Sequence, residues 1–174
     1  LRDRFGINHR LHFYSPSELE IIVKNAANKL KVEIDDLSIK EVAKRGRGTP
    51  RIALKFLKRL RDYAQVKGSG NITESLAKDA LSLLSVDPLG LDDLDHRLLR
   101  SIIEKHNGGP VGIETIASTI SEDTGTLEEV VEPYLLQIGF LRRTPRGRIA
   151  TMAAYLHLGL SVPKDLTLEQ QKLL

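Results

Sequence analysis

The sequence predicts a mainly α protein in two units, a four-helix domain followed by a winged-helix domain with a small β hairpin. Three observations carry that expectation. Helix-start signals recur with helical apolar spacing through residues 15–85. Ser85 to Gly90, SVDPLG, then supplies the proline and glycine of a linker. Beyond it lie three helical segments and a short basic hairpin, the order of elements in a winged variant of helix-turn-helix. Charge divides at the same place: residues 1–84 carry 17 Lys+Arg against 10 Asp+Glu, and the remainder carries 9 against 13.

Along INHRLHFY, Ile7, His9, Leu11 and Phe13 alternate and predict a short strand over 7–14. Arg2 and Arg4 stand just before it, ahead of a turn at Gly6. Ser15-Pro16-Ser17-Glu18 reads as a capping box with proline at the first helical position, and Leu19, Ile22, Val23, Ala26, Ala27 and Leu30 give that helix its inner face. A shorter helix follows, with Ser38 and Glu41 as its capping box, Val42 and Ala43 inward and Gly46 as its stop.

The stretch RGRGTPRIALKFLKRLR, residues 45–61, opens the third helix. Thr49 suits the N-cap and Pro50 the first helical position, while Gly46 and Gly48 permit a sharp approach. Ile52, Ala53, Phe56, Leu57, Leu60, Tyr63 and Ala64 form its buried face. Arg51 falls in the first turn and off that face. A cation beside a positive helix end is disfavoured unless an anion lies between them, which makes Arg51 either a phosphate ligand or a solvated surface arginine. A fourth helix is capped by Thr73, with Leu76, Ala77, Ala80, Leu81 and Leu84 inward.

The second unit starts with a helix from about Asp93 to His106, burying Leu94, Leu98, Leu99, Ile102 and Ile103. Asn107-Gly108-Gly109-Pro110 breaks it, and a short helix spans Ile113 to Ile120. Thr126 and Glu129 read as the cap of a third helix that reaches Gly139 with a bend at Pro133. Phe140 to Arg143 and Arg148 to Thr151 can pair as a hairpin closed by Thr144-Pro145-Arg146-Gly147, with a helix over Met152 to Leu158 after it. Arg142, Arg143, Arg146 and Arg148 crowd this hairpin within an otherwise acidic unit. Their guanidinium forks suit bidentate phosphate contact with little base specificity, against the alternatives of a solvated or protein-docking hairpin. As a solvated tip, the hairpin could lose Arg143 and Arg148 with barely a change in stability. Glu128, Glu129 and Glu132 on the preceding helix argue against deep insertion of that helix in a major groove.

The chain has 174 residues, 41% of them hydrophobic, and no cysteine. That excludes disulfides, thiolate metal sites and a cysteine nucleophile. His9, His12, His96, His106 and His157 show no metal-binding spacing, so no metal site is predicted. No apolar run suits a membrane span. With no G-x-x-x-x-G-K-[ST] loop, the chain should not hydrolyse a nucleotide on its own. Because Leu1-Arg2-Asp3-Arg4 opens mid-motif without an initiator methionine, the sequence reads as the back part of something longer.

Several stretches together resemble the RuvB family of AAA+ motors, which move Holliday junctions: LRDRFGI, HFY, RGRGTPRIA, RDYAQV, SVDPLGLDDLD, GGPVG and EPYLLQIGFLRRTPRGR. The resemblance implies a tail of the large ATPase domain over 1–14, an AAA+ helical lid over 15–85, a linker over 86–92, a winged-helix DNA-binding domain over 93–160 and a C-terminal tail over 161–174. It further implies that Arg51 is the sensor 2 arginine on the nucleotide phosphates, that Arg4, with Arg2 as runner-up, is the arginine finger serving a neighbouring subunit's ATP, and that Tyr14 either lies near the nucleotide or packs on the lid. In the wing, Arg143 and Arg148 match the family's DNA contacts, with Arg146 between them at the tip. The implied ligands are ATP or ADP, with Mg2+ held by a front part absent from this sequence. The implied partners are Holliday junction or duplex DNA, five further copies in a homohexamer, RuvA and RuvC, in the cytoplasm. A stand-alone winged-helix module, or a fragment of another AAA+ replication factor, is the competing reading.

Overall fold

The structure is a computed structural model that describes residues 12–67 and 70–163, and it divides the chain into two units at Gly90–Leu91. In the first unit, the Ser15 side chain accepts from the Glu18 N–H while the Glu18 carboxylate accepts from the Ser15 N–H, which starts α1 (Pro16–Leu30) as expected. Of the strand expected over 7–14, Ile7 to Leu11 lie outside the described residues, and His12 to Tyr14 have no regular secondary structure. The start of α2 (Asp36–Arg45) differs from expectation. Its N-cap is Asp35, whose Oδ1 accepts from the Ser38 N–H at 2.7 Å, and Ser38 is fully buried with its hydroxyl donating to the Ile72 carbonyl at 3.4 Å. Asp35 Oδ2 also accepts from the Glu74 N–H at 3.0 Å, so one carboxylate ties the first turns of two helices together.

α3 (Pro50–Val66) carries the inner face that periodicity assigns it: Ala53, Phe56, Leu57, Leu60 and Ala64 are buried, and Ile52 and Tyr63 are partly so. α4 (Glu74–Leu83) is capped by the Thr73 hydroxyl, which accepts from the Leu76 N–H. Leu84, expected inside, is 40% exposed, because α4 ends before it and Val86 fills the core instead. Four helices therefore close over Leu19, Val23, Ile39, Val42, Leu57 and Leu81, consistent with a four-helix domain.

In the second unit, Asp92 and Asp95 cap each other's backbone groups at the start of α5 (Asp93–Arg100), which continues as a π-helical turn over Ser101–Lys105. Burying Asp95 in that box leaves Leu94 only partly covered, whereas Leu98, Leu99, Ile102 and Ile103 are buried as expected. α6 (Ile113–Ile120) follows. The next start is again an aspartate: Asp123 accepts from the Thr126 N–H at 2.8 Å and caps α7 (Thr124–Thr126), so Thr126 is not the cap. α7 runs through a π-helical turn, Leu127–Val131, into α8 (Glu132–Gln137). The wide turn comes just before Pro133, where an N–H donor is missing in any case.

β1 (Leu141–Thr144) and β2 (Gly147–Ala150) pair antiparallel with Arg143 opposite Arg148, joined by the two residues Pro145 and Arg146. Val111 joins the hairpin's outer edge by exchanging hydrogen bonds with the Arg148 backbone at 2.8 and 3.0 Å. That approach requires Gly147, at φ 133°, where a Cβ would lie 2.4 Å from the Val111 oxygen. α9 (Met152–His157) follows the hairpin, with Ala154 and Tyr155 buried. Among the described residues no helix is long and apolar enough to cross a membrane.

Candidate functional site

The first candidate site is the start of α3. Thr49 occupies the N-cap position, yet its hydroxyl donates to the Arg47 carbonyl at 3.3 Å and caps no N–H. Among the described residues no side chain caps the first turn of this 17-residue helix, and free N–H groups there favour an anion. Tyr14 is brought to this place by a hydrogen bond from its N–H to the Gly48 carbonyl at 2.9 Å. Gly48, at φ 65°, is needed for the contact, since a Cβ there would sit 2.7 Å from the Phe13 Cβ. Tyr14, Gly48, Thr49 and Pro50 line a groove of about 360 Å³ in which Tyr14 is 46% exposed. Arg51 is exposed and lines a neighbouring concavity on α3 with Lys55, Lys58, Arg59 and Arg61, the last paired with Asp62 at 2.7 Å. Arg2 and Arg4 lie outside the described residues. Two arginines that sequence reasoning passed over are structural: Arg45 is buried and pairs with Glu41 at 3.0 Å, and Arg47 is buried with Nε donating to the Gly90 carbonyl at 2.6 Å.

The second candidate site is the hairpin, and here the structure changes the expected picture. The four arginines do not share one solvated tip. Arg142 and Arg146 are exposed and have no carboxylate partner among the described residues. Arg143 and Arg148, opposite each other on one face, both grip Glu132 at the start of α8. Nε and Nη2 of Arg143 donate to the two Glu132 oxygens at 2.8 Å each. Arg148 donates to the same two oxygens at 2.9 and 3.1 Å, and its Nη2 also reaches Glu128 at 2.9 Å. The Glu132 side chain is wholly buried, that of Arg148 is 17% exposed and that of Arg143 56%. Burial pushes the Glu132 carboxyl up, but the hydrogen bonds and charges of the two arginines outweigh it and leave the group at about 2. The same bonds hold both guanidinium groups more firmly protonated. In the same unit His96 and His157 stack with centroids 6.0 Å apart, a proximity that their sequence spacing hides.

A four-helix bundle with an uncapped, arginine-bearing helix start, followed by a winged helix with a basic wing, is the pairing of an AAA+ lid with a winged-helix domain. Residues 14–87 match the RuvB AAA lid domain, and residues 88–159 match the RuvB C-terminal winged helix domain. The chain belongs to the RuvB family. Among solved structures it is similar to the Thermotoga maritima RuvB Holliday junction branch migration motor, with 48% identity and a TM-score of 0.89 over 93% of this chain. Two point variants of the same Thermotoga maritima protein match with TM-scores of 0.89 at 47% and 48% identity, again over 93% of this chain. The chain spans about half the length of these relatives, 54% of each.

Proposed function

We propose that this chain forms the lid and the DNA-contacting domain of an ATP-driven motor that branch-migrates Holliday junctions in recombination and repair. The observation that carries the reading is the lid and winged-helix order at 47–48% identity to a solved branch migration motor along 93% of this chain. Supporting it locally, the uncapped start of α3 and the groove beside Tyr14 fit the phosphates and an apolar edge of a nucleotide. ATP supplies the free energy of its terminal phosphoryl transfer when bound. Arg51 holds phosphate oxygens from within the same subunit, Tyr14 packs beside the nucleotide, and Arg4 stabilises charge on a neighbouring subunit's phosphoryl group. The described residues that line the Tyr14 groove bring Arg51's helix start to phosphate, and Mg2+ would be held by the front part of the motor. Arg142, Arg143, Arg146 and Arg148 meet duplex phosphates without reading bases. A homohexameric ring with RuvA at the junction completes the reading.

A chimera tests it. This chain replaces the matching segment of Thermotoga maritima RuvB, and DNA-stimulated ATP turnover and junction dissociation are measured with and without Arg51→Ala. The expected result is a chimera that dissociates junctions, and a variant with unchanged helicity but much reduced turnover. An assembled chimera that hydrolyses ATP yet leaves junctions intact refutes the reading.

A further inference from the structure

Two carboxylates meet the Arg148 guanidinium, and they are not equivalent. Glu132 is wholly buried and accepts four hydrogen bonds from two arginines. Glu128, one helical turn earlier, is 44% exposed and accepts one, from Arg148 Nη2. We infer that these carboxylates divide control of DNA binding: Glu132 is a positioning residue that fixes Arg143 and Arg148 to meet phosphate, and Glu128 is an exchangeable occupant of the place a phosphate oxygen takes on Arg148. The inference rests on the reading of the wing as a DNA contact.

Charge and burial set the two roles. Two arginines and two glutamates make a neutral cluster, so in the free protein it adds little long-range attraction for DNA. A phosphate that displaces Glu128 keeps the cluster neutral and returns to water a carboxylate that is already nearly half solvated, at small cost. Displacing Glu132 would instead strand a buried charge, which is strongly unfavourable. Glu132 therefore stays. It orders two long, flexible side chains during folding, so that their freedom is not lost again at binding. Arg143, still 56% exposed after gripping Glu132, keeps an edge for a second phosphate.

The test is fluorescence anisotropy of a labelled duplex with the 174-residue chain and with Glu128→Gln, Glu132→Gln and Glu132→Asp, each over a salt series. The two Gln changes remove the same unit of negative charge, so opposite outcomes cannot come from net charge. Glu128→Gln should bind more tightly throughout the salt series, since the phosphate no longer has a carboxylate to displace, with a slope of log K against log salt close to the parent's because the same phosphates are met. Glu132→Gln should bind more weakly, with a slope shallower by about one to two units as its arginines lose their orientation. Glu132→Asp keeps the charge but falls a methylene short of both guanidinium groups, so it too should weaken binding. If Glu132→Gln has no cooperative melt, Glu132→Asp decides, and parent-like binding by it overturns the positioning role. Equal tightening by both Gln variants overturns the inference while leaving the DNA reading in place. A parent chain with no salt-dependent binding overturns both.

Discussion

Arg148→Ala should destabilise the second unit, because the arginine's loss is felt by the carboxylate it leaves behind. Removing one partner of a buried ion pair costs about 3–5 kcal/mol. Glu132 keeps its two bonds from Arg143, so roughly half of that, about 2 kcal/mol, is the expected loss. For a unit of this size each kcal/mol moves the midpoint by about 4–8 °C, which gives a fall of roughly 10 °C in a thermal melt followed by circular dichroism. Its pH dependence is the sharper check. The folded Glu132 carboxyl sits at about 2, below its ordinary value of 4.5. A carboxyl depressed in this way contributes stability that is fully present above 4.5 and is lost as pH falls toward 2. The variant has less of it to lose, so the gap between parent and variant should be widest near neutrality and should close toward pH 2. Coincident melts at neutral pH, or a gap that stays constant down to pH 2, would refute the argument.

Two further outcomes follow from other residues. Asp35→Ala removes acceptors for the Ser38 and Glu74 N–H groups, so the first unit should lose about 1–2 kcal/mol, measured by urea denaturation. Hydrogen bonds from Ser38 hold the Asp35 carboxyl below its ordinary value of 3.8, so this stabilisation is present above 3.8 and fades as pH drops beneath it. Arg142→Ala with Arg146→Ala should flatten the salt dependence of duplex binding by nearly two units and leave the melting midpoint unmoved, since neither exposed side chain has a carboxylate partner among the described residues.

Helix number, the inner faces apart from Leu84 and Leu94, and the basic hairpin could be read from the sequence because each rests on local periodicity or on turn residues. Two helix starts could not be, and for one shared reason. At Asp35–Ser38 and at Asp123–Thr126, two residues able to cap stand three apart, and the downstream hydroxyl also has a glutamate three residues beyond it. The upstream aspartate takes the cap in both cases, as a charged acceptor at the positive helix end should. An aspartate three residues before a candidate Ser or Thr was the available signal. The Glu132 grip has no such local sign. Its partners lie 11 and 16 residues away, and nothing in the spacing distinguishes a carboxylate that repels DNA from one that holds the arginines. The uncapped start of α3 was hidden for the opposite reason, because Thr49 is a good cap whose hydroxyl is engaged by the Arg47 carbonyl.

Arg148 has its backbone bonded to Val111 on one edge, sits opposite Arg143 on the other, and is anchored through its side chain to the start of α8. A hairpin tied in this way is joined at its β2 strand to the first turn of α8, so a shift of that turn should carry Arg148 and its strand with it.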